Sequence, residues 1–320
     1  MKRRSIVLSV VLGLFVSVSG VVAGEAEDIL AESGVPGGLV VHLGCGNGKL
    51  TAALRAGDQY VVHGLDTDPE AVAEAREHIQ GLGLYGKVSV GVLEGERLPY
   101  VDNLVNLLVV EDRGEVPAGE CMRVVAPGGV VCSKSGGKWR GTVKRRSRML
   151  DEWTHHLHDA GGNAVGSDTV VGPPRHLQWT AGPIWARSHG WTPSVSAMVS
   201  AGGRLFCICD ETLSCADGAI PSKWALVARD AFSGFLLWKQ PISKWGSVEF
   251  SGTPSTGGHG VVGRFTMPPN VGKRLVAVGD TVYVTLGARA PVSALDAATG
   301  RMKWVNAVTE GADEILCEDG

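Results

Sequence analysis

The run Gly44-Cys45-Gly46-Asn47-Gly48 follows directly on the apolar stretch Leu39-Val40-Val41-His42-Leu43. It leads into Leu50, Ala53 and Leu54 at helical spacing. Strand, glycine turn and helix is the context of a nucleotide-binding loop, where glycines permit a tight turn and a close approach of ligand to backbone. Asp66 ends a second apolar run 22 residues after Gly44, about where an acid grips ribose hydroxyls. Glu111 and Asp112, at the predicted end of a fourth strand, are the acids placed to deprotonate an acceptor, or else a solvated loop pair. Asp151-Glu152-Trp153-Thr154-His155-His156-Leu157-His158-Asp159 gathers three histidines and three carboxylates. On a helix, Asp151, His155 and His158 or Asp159 share a face and could bind zinc or another divalent ion. The alternative is a capped helix that packs Trp153 and Leu157 and hydrogen-bonds its polar groups. Cys207 and Cys209 alternate within a strand-like run, which turns both thiols to one side. Without a second pair they make a poor zinc signature.

These groups need a scaffold. Leu39–Leu43 and Tyr60–Leu65 read as buried strands. Asp68-Pro69-Glu70 opens a helix with a cap, a proline at its first position and an acid in its first turn. Val72, Ala75 and Ile79 form the core side of that helix. Lys87–Leu93, Leu104–Val110 and Val124–Cys132 supply a third strand, a fourth, and a turn with a fifth. Strands alternating with helices predict a parallel α/β sheet over residues 35–134.

The series resembles class I (type 11-like) S-adenosylmethionine-dependent methyltransferases. The resemblance lies in Val41–Gly48, Leu65-Asp66-Thr67-Asp68-Pro69, Leu93–Tyr100 and Met122–Gly129, in the family's order over about 100 residues. It implies a Rossmann-like fold with S-adenosylmethionine as cofactor. Gly44, Cys45, Gly46, Asn47 and Gly48 would cradle the methionine part, Asp66 would hold the ribose, and Glu94 would reach the adenine amine. Three departures stand out. His42 occupies the place of an acid that helps neutralise the cofactor's amino and sulfonium end. Asn106 stands where the fourth strand usually carries Asp. The two antiparallel strands that usually finish the sheet have no clear counterpart after Cys132.

Seven basic residues and no acid lie between Ser133 and Leu150, which predicts a surface linker. Residues 135–174 are expected to be this basic linker and the His/Asp-rich junction. Beyond it, short strands separated by Gly, Asp, Ser and Pro predict an all-β region over 175–320. Ala228–Trp238 matches Ala294–Trp304, with Asp, Gly and Trp each recurring 66 residues apart. The motif Ala-x-Asp-Ala-x-Thr/Ser-Gly-x-x-x-Trp resembles the blade signature of PQQ-like (quinoprotein-like) β-propellers. Dehydrogenases of that fold carry an adjacent Cys-Cys pair and a calcium site; neither is visible here, so PQQ is not expected and a scaffold is favoured. The combination resembles exported two-part proteins of planctomycete-type bacteria. Two blades cannot close a ring, since propellers have at least four, so the chain reads as a fragment with a partial propeller.

The chain has 320 residues, a formal net charge of -3 and 20% charged residues. This argues against disorder and against bulk nucleic-acid binding. All nine tryptophans lie at or after Trp139, as expected of two unlike domains joined near residue 140. Residues 1–23 read as a signal peptide with a basic start, an apolar core and a small-residue cleavage site, so export is expected, with a membrane anchor if the segment is uncleaved. The seven cysteines form no regular framework, and Cys45, Cys121 and Cys132 read as small core residues. Three functional readings follow. The first is an exported methyltransferase of unknown acceptor whose propeller binds a protein or small molecule. The second is a non-enzymatic scaffold with a degenerate methyltransferase fold, and the third a quinone-dependent oxidoreductase. None includes a nucleic-acid partner or a stable membrane span after signal cleavage.

Overall fold

The computed structural model describes residues 22–173, 177–182, 194–212, 222–246, 249–250, 267–268 and 270–318. The expected signal segment up to residue 21, the stretch 174–176 and Cys215 lie outside these residues. The chain divides into two units, Met1–Arg145 and Arg146–Gly320. Among the described residues no helix is long and apolar enough to cross a membrane.

The first unit contains helix α1 (22–33), β1 (Gly38–Leu43), α2 (Lys49–Ala53), β2 (Tyr60–Asp66) and α3 (Pro69–Gly81). There follow β3 (Val88–Val92), β4 (Val105–Val110), α4 (Ala118–Val124), β5 (Val125–Ser135) and β6 (Lys138–Val143). The sheet order is β3-β2-β1-β4-β5-β6. Strands β1 to β5 pair in parallel and β6 runs antiparallel to β5. This is a Rossmann-like α/β fold, and its chain order reverses between β1 and β4, where such sheets bind ligands. Strands β1 and β4 are buried along their whole length, which is why they read as unbroken apolar runs. Asp68 caps α3 by accepting from the Glu70 amide at 2.9 Å, and Val72, Ala75 and Ile79 of α3 are buried in the core. Asn106 Oδ1 accepts from the Leu39 amide at 2.8 Å, so this amide fastens β4 to β1.

The basic linker expected to start at residue 135 begins instead as sheet. Lys138–Val143 is one of the two antiparallel strands that the sequence left without a counterpart, and it pairs with Val130–Ser135. Trp139 is buried between exposed Lys138 and Arg140. Charged side chains are what an edge strand presents to prevent further pairing. Lys144 is not a solvated linker residue either. Its Nζ donates to Asn103 Oδ1 at 2.7 Å and to the Met122 and Val125 carbonyls at 2.8 Å each. Trp139 joins the same core as Val40, Val62 and Ile79, so the first unit does use an indole and the boundary falls after Arg145.

Among the described residues the second unit holds two four-stranded antiparallel sheets. One comprises β7 (Val195–Ala201), β8 (Arg204–Asp210), β9 (Trp224–Asp230) and β10 (Leu236–Pro241). The other comprises β11 (Leu275–Val278), β12 (Thr281–Thr285), β13 (Val292–Asp296) and β14 (Met302–Asn306). Each is a simple meander in which neighbours in sequence are neighbours in the sheet. The repeated motif forms the same turn twice. The Gly234 amide donates to the Asp230 carbonyl and the Gly300 amide to the Asp296 carbonyl, at 2.9 and 2.8 Å. Ser233 and Thr299 hydroxyls donate to the carboxylates of Asp230 and Asp296, at 2.7 Å in both turns. Both glycines have φ just above 70°, a left-handed conformation that only glycine adopts freely.

An indole seals each turn. Trp179 Nε1 donates to the Ala231 carbonyl at 2.9 Å, and Trp238 Nε1 to the Ala297 carbonyl at 3.0 Å. The rings lie flat against Gly234 and Gly300, so closely that a Cβ on either glycine would strike them. Trp238, at the outer edge of the first meander, thereby docks on the turn of the second. Trp304, its repeat, is 46% exposed.

The segment 151–159 is not helical, against both readings of it. It is an irregular stretch with one isolated bridge, His155 to His158. The Trp153 carbonyl accepts from Ser200 of β7 at 2.7 Å and the Thr154 carbonyl from Ala277 of β11 at 2.9 Å. These two backbone bonds tie Trp153 and Thr154 to β7 and β11, an edge strand of each sheet. His158 takes a left-handed φ of 76°, which no helix contains. Trp153 and Leu157 are 40% and 39% exposed rather than packed.

Candidate functional site

The carboxyl ends of β1, β2, β3 and β4 bring together the glycine loop, Asp66, Glu94, Glu111 and Asp112. The amides of Gly44 and Cys45 both donate to the Leu65 carbonyl, at 2.8 and 3.1 Å, which folds the loop back over β2. Gly44 has φ 77°, and a Cβ there would lie 2.6 Å from the Asp112 amide nitrogen. The backbone after β4 therefore passes directly under the loop. Gly46 is open: a Cβ on it would meet nothing within 4 Å. Asn47 Oδ1 accepts from the Lys49 amide at 3.3 Å, and Gly48 is the N-cap of α2.

Asp66 binds the loop directly. Its Oδ2 accepts from the Gly46 amide at 2.8 Å and its Oδ1 from the Asp68 amide at 3.1 Å. Asp66 pairs in register with Val92 of β3, so Glu94 falls two residues beyond that partner, in an exposed position. Cys45 is buried, and burial pushes its thiol up to about 12, with Asp66 adding to the shift. Such a thiol is no nucleophile near neutrality. Cys121 and Cys132 are likewise buried thiols raised by desolvation.

Glu111 and Asp112 follow β4, with their amides on the Leu43 carbonyl at 3.0 and 3.4 Å. Asp112 Oδ1 accepts from the Gly114 amide at 2.9 Å, a local turn contact. Glu111 is more involved. Its Oε2 lies 3.3 Å from His42 Nε2 and its Oε1 lies 3.4 Å from Lys134 Nζ. The neighbouring His42 imidazole, followed by the Lys134 ammonium, holds the Glu111 carboxyl below the usual range against the opposing effect of burial. Lys134 also pairs with Glu25 of α1 at 2.6 Å, and Trp139 Nε1 donates to the same Glu25 oxygen at 3.1 Å. Sequence reasoning missed Lys134 and Glu25. Strand β5 runs past its expected end, and the alternation Val130, Cys132, Lys134 was the available signal.

A second polar contact under the sheet concerns pH. His63 Nδ1 and the Tyr100 hydroxyl lie 2.7 Å apart, and burial holds the His63 ring below the ordinary histidine range. The unfolded chain therefore takes up this proton at higher pH than the fold does. The stabilising contribution is complete above the unfolded value of about 6.5 and is lost as pH falls through the lower folded value. The first unit is expected to melt at progressively lower temperature from pH 7 to pH 5. His63→Phe should flatten that slope in thermal scans, and an unchanged slope would refute the assignment.

The proposed metal ligands do not converge. His158 Nε2 lies 2.7 Å from Asp151 Oδ2 and its Nδ1 lies 3.4 Å from Asp159 Oδ2. His155 turns elsewhere, with Nδ1 at 2.8 Å from Thr154 Oγ1 and Nε2 accepting from the Cys317 amide at 3.2 Å. Among the described residues no group of three or more His, Cys, Asp or Glu side chains is arranged to hold a metal ion.

Residues 40–129 match the family described as "Methyltransferase domain". The human protein named "Methyltransferase-like protein 27" is 28% identical over 175 residues, which cover 53% of this chain and 67% of that protein. A solved structure of a proposed S-adenosyl-L-methionine-dependent methyltransferase from Methanococcus maripaludis is 23% identical, with a TM-score of 0.32, over 35% of this chain and 54% of the other. A proposed methyltransferase, solved in complex with the Haloferax volcanii Trm112 methyltransferase activator, is 29% identical, with a TM-score of 0.30, over 34% of this chain and 50% of the other. The chain thus spans about half the length of these two solved relatives. Residues 40–129 are thus similar to a methyltransferase domain, and they lie on a Rossmann-like sheet.

Proposed function

We propose that the first unit binds S-adenosylmethionine and transfers its methyl group to an acceptor outside the described chain. The carrying observation is the bond from the Gly46 amide to Asp66 at the point where the sheet order reverses. It fixes an open glycine loop beside an acid at the end of β2, the arrangement that suits a nucleoside with a charged tail. When bound, the cofactor supplies an electrophilic methyl group on a sulfonium. The protein's contribution is placement: Asp66 would hold the ribose, Glu94 would reach the adenine amine, and the Gly44–Gly48 backbone would receive the methionine part. Alignment alone can remove much of the barrier of such a displacement. Calorimetric titration of the full chain with S-adenosylhomocysteine should give saturable binding at micromolar concentration. No binding at millimolar ligand would overturn the reading.

A non-enzymatic alternative draws on the two acids. Asp112 is taken by a turn amide and Glu111 by His42 and Lys134, so neither stands free as a base. In that reading the fold is a relic and the chain is a scaffold. The second unit supports a scaffold in either case. Its two identical turns, each sealed by an indole, favour a portion of a PQQ-like β-propeller that holds a protein or small-molecule partner in an exported chain. Cell fractionation tests the export: recovery of the chain from the cytoplasm alone would overturn it.

A further inference from the structure

The outer face of the first meander gathers sulfur. Cys207 and Cys209 are two residues apart on β8, so their side chains leave the sheet on the same side. Phe206 and Ile208, on the other side, are fully buried in the core of the second unit, and neither thiol belongs to that core. Cys207 pairs in register with Met198 of β7, which puts the Met198 side chain on the thiol side as well. Its neighbours Ala197 and Val199 are buried in the core, whereas Met198 is 53% exposed.

The three sulfur atoms are within reach of one ion. Directly opposed residues of an antiparallel pair have Cβ atoms about 4.5–5.5 Å apart, which a methionine spans easily. Along β8 the two thiols close the remaining distance by hydrogen-bonding to each other. Both are free thiols, and Cys207 Sγ lies 3.9 Å from the Val227 carbonyl of β9. The hydrogen bond from Cys209, aided by the charge of Arg229, holds the Cys207 thiol below its usual range against burial and the charge of Glu211. The thiolate is the form that ligates metals.

The donor set decides which ion fits. Glu211 comes next in the row but is paired with Lys239 at 2.8 Å. Among the described residues no third His, Cys, Asp or Glu joins the two thiols, and a structural zinc site needs four such ligands. Two thiolates and a thioether suit a soft ion, and copper(I) is the soft ion that such ligands select. Binding exchanges two thiol protons for one monovalent cation. The complex then carries one negative charge, which the nearby Arg229 offsets.

We propose that Met198, Cys207 and Cys209 form a three-sulfur site for copper(I) on the outer face of the β7–β10 sheet. The exposed Met198 side chain is the ligand that meets the ion first, and the half-buried Cys207 and buried Cys209 hold it. The site lies in the second unit and is independent of the methyltransferase reading.

The test titrates copper(I), supplied as its acetonitrile complex without oxygen, into the full reduced chain against bicinchoninate, a coloured chelator of that ion. The wild type should withdraw one equivalent more than Cys207→Ser or Cys209→Ser withdraws, which subtracts any uptake by the other cysteines. In the chain loaded with one equivalent, X-ray absorption at the copper edge should count three sulfur neighbours. Met198→Leu should reduce that count to two and weaken binding by about 10-fold. Equimolar zinc(II) should leave the copper in place. Equal uptake by the wild type and both serine variants would overturn the site, and so would displacement of copper by zinc. Met198→Leu changes a surface side chain, so it decides the matter even where a serine variant fails to fold: an unchanged affinity and sulfur count in that variant would remove the three-sulfur site.

Discussion

Trp238→Ala is expected to destabilise the second unit by about 3 kcal/mol, while Trp304→Ala, the same change at the repeated position, costs under about 1 kcal/mol. The two residues stand at equivalent places, each with an aromatic neighbour in its own sheet, Phe206 or Tyr283, at a centroid distance of 5.9 Å. They differ in what lies beyond. Trp238 donates to the Ala297 carbonyl and lies against Gly300; Trp304 is 46% exposed. Removing Trp238 leaves a void over the turn and a carbonyl without its donor. Gly300→Val attacks the same contact from the other side. Its Cβ would come within 2.6 Å of the indole, and its φ of 71° is costly for a β-branched residue. Denaturant unfolding followed by tryptophan fluorescence separates the cases. Equal losses for Trp238→Ala and Trp304→Ala would show that the indole works within its own sheet and does not join neighbours.

The parallel strands were legible because burial on both faces makes them unbroken apolar runs, as in Val105–Val110. The turns were legible because Asp, Thr or Ser, and Gly each perform a fixed task there, and the task recurs 66 residues later. Strand β6 was hidden by its chemistry. An edge strand shows charge to solvent, so a single inward Trp139 among lysines and arginines resembles a linker. Strand β7 was hidden by size, since Val195–Ala201 is rich in Ser and Ala and its register shifts opposite β8. The Asp151–Asp159 segment misled because helical spacing was assumed. Its backbone is spent on β7 and β11, and tertiary hydrogen bonds decide such a stretch, not periodicity. In the first unit, the turn Gly44 to Gly48 after β1 and the position of Asp66 at the end of β2 were readable from spacing alone. The pairing of His42 with Glu111 was not, because 69 residues separate partners that only the β1–β4 neighbourhood brings together.

Asp66→Asn is expected to weaken S-adenosylhomocysteine by about 100-fold, the largest binding loss of any single substitution in the first unit. Two effects combine. The ribose would lose a charged acceptor, worth about 1.5–3 kcal/mol where such bonds have been broken. The loop would lose its anchor as well, because both Asp66 oxygens accept backbone amides, from Gly46 at 2.8 Å and Asp68 at 3.1 Å. Asparagine offers one acceptor oxygen and one amino group, so one of those amides would face a donor. Asp68→Ala is the control. It removes the cap of α3, which costs about 1 kcal/mol of stability, but leaves the loop anchored and should change the dissociation constant little. Titration of both variants beside the wild type decides the matter. If Asp68→Ala weakens binding as much as Asp66→Asn, the acid acts only through the stability of α3. If Asp66→Asn alone fails to bind, the carboxylate at the end of β2 holds both the loop and the ligand.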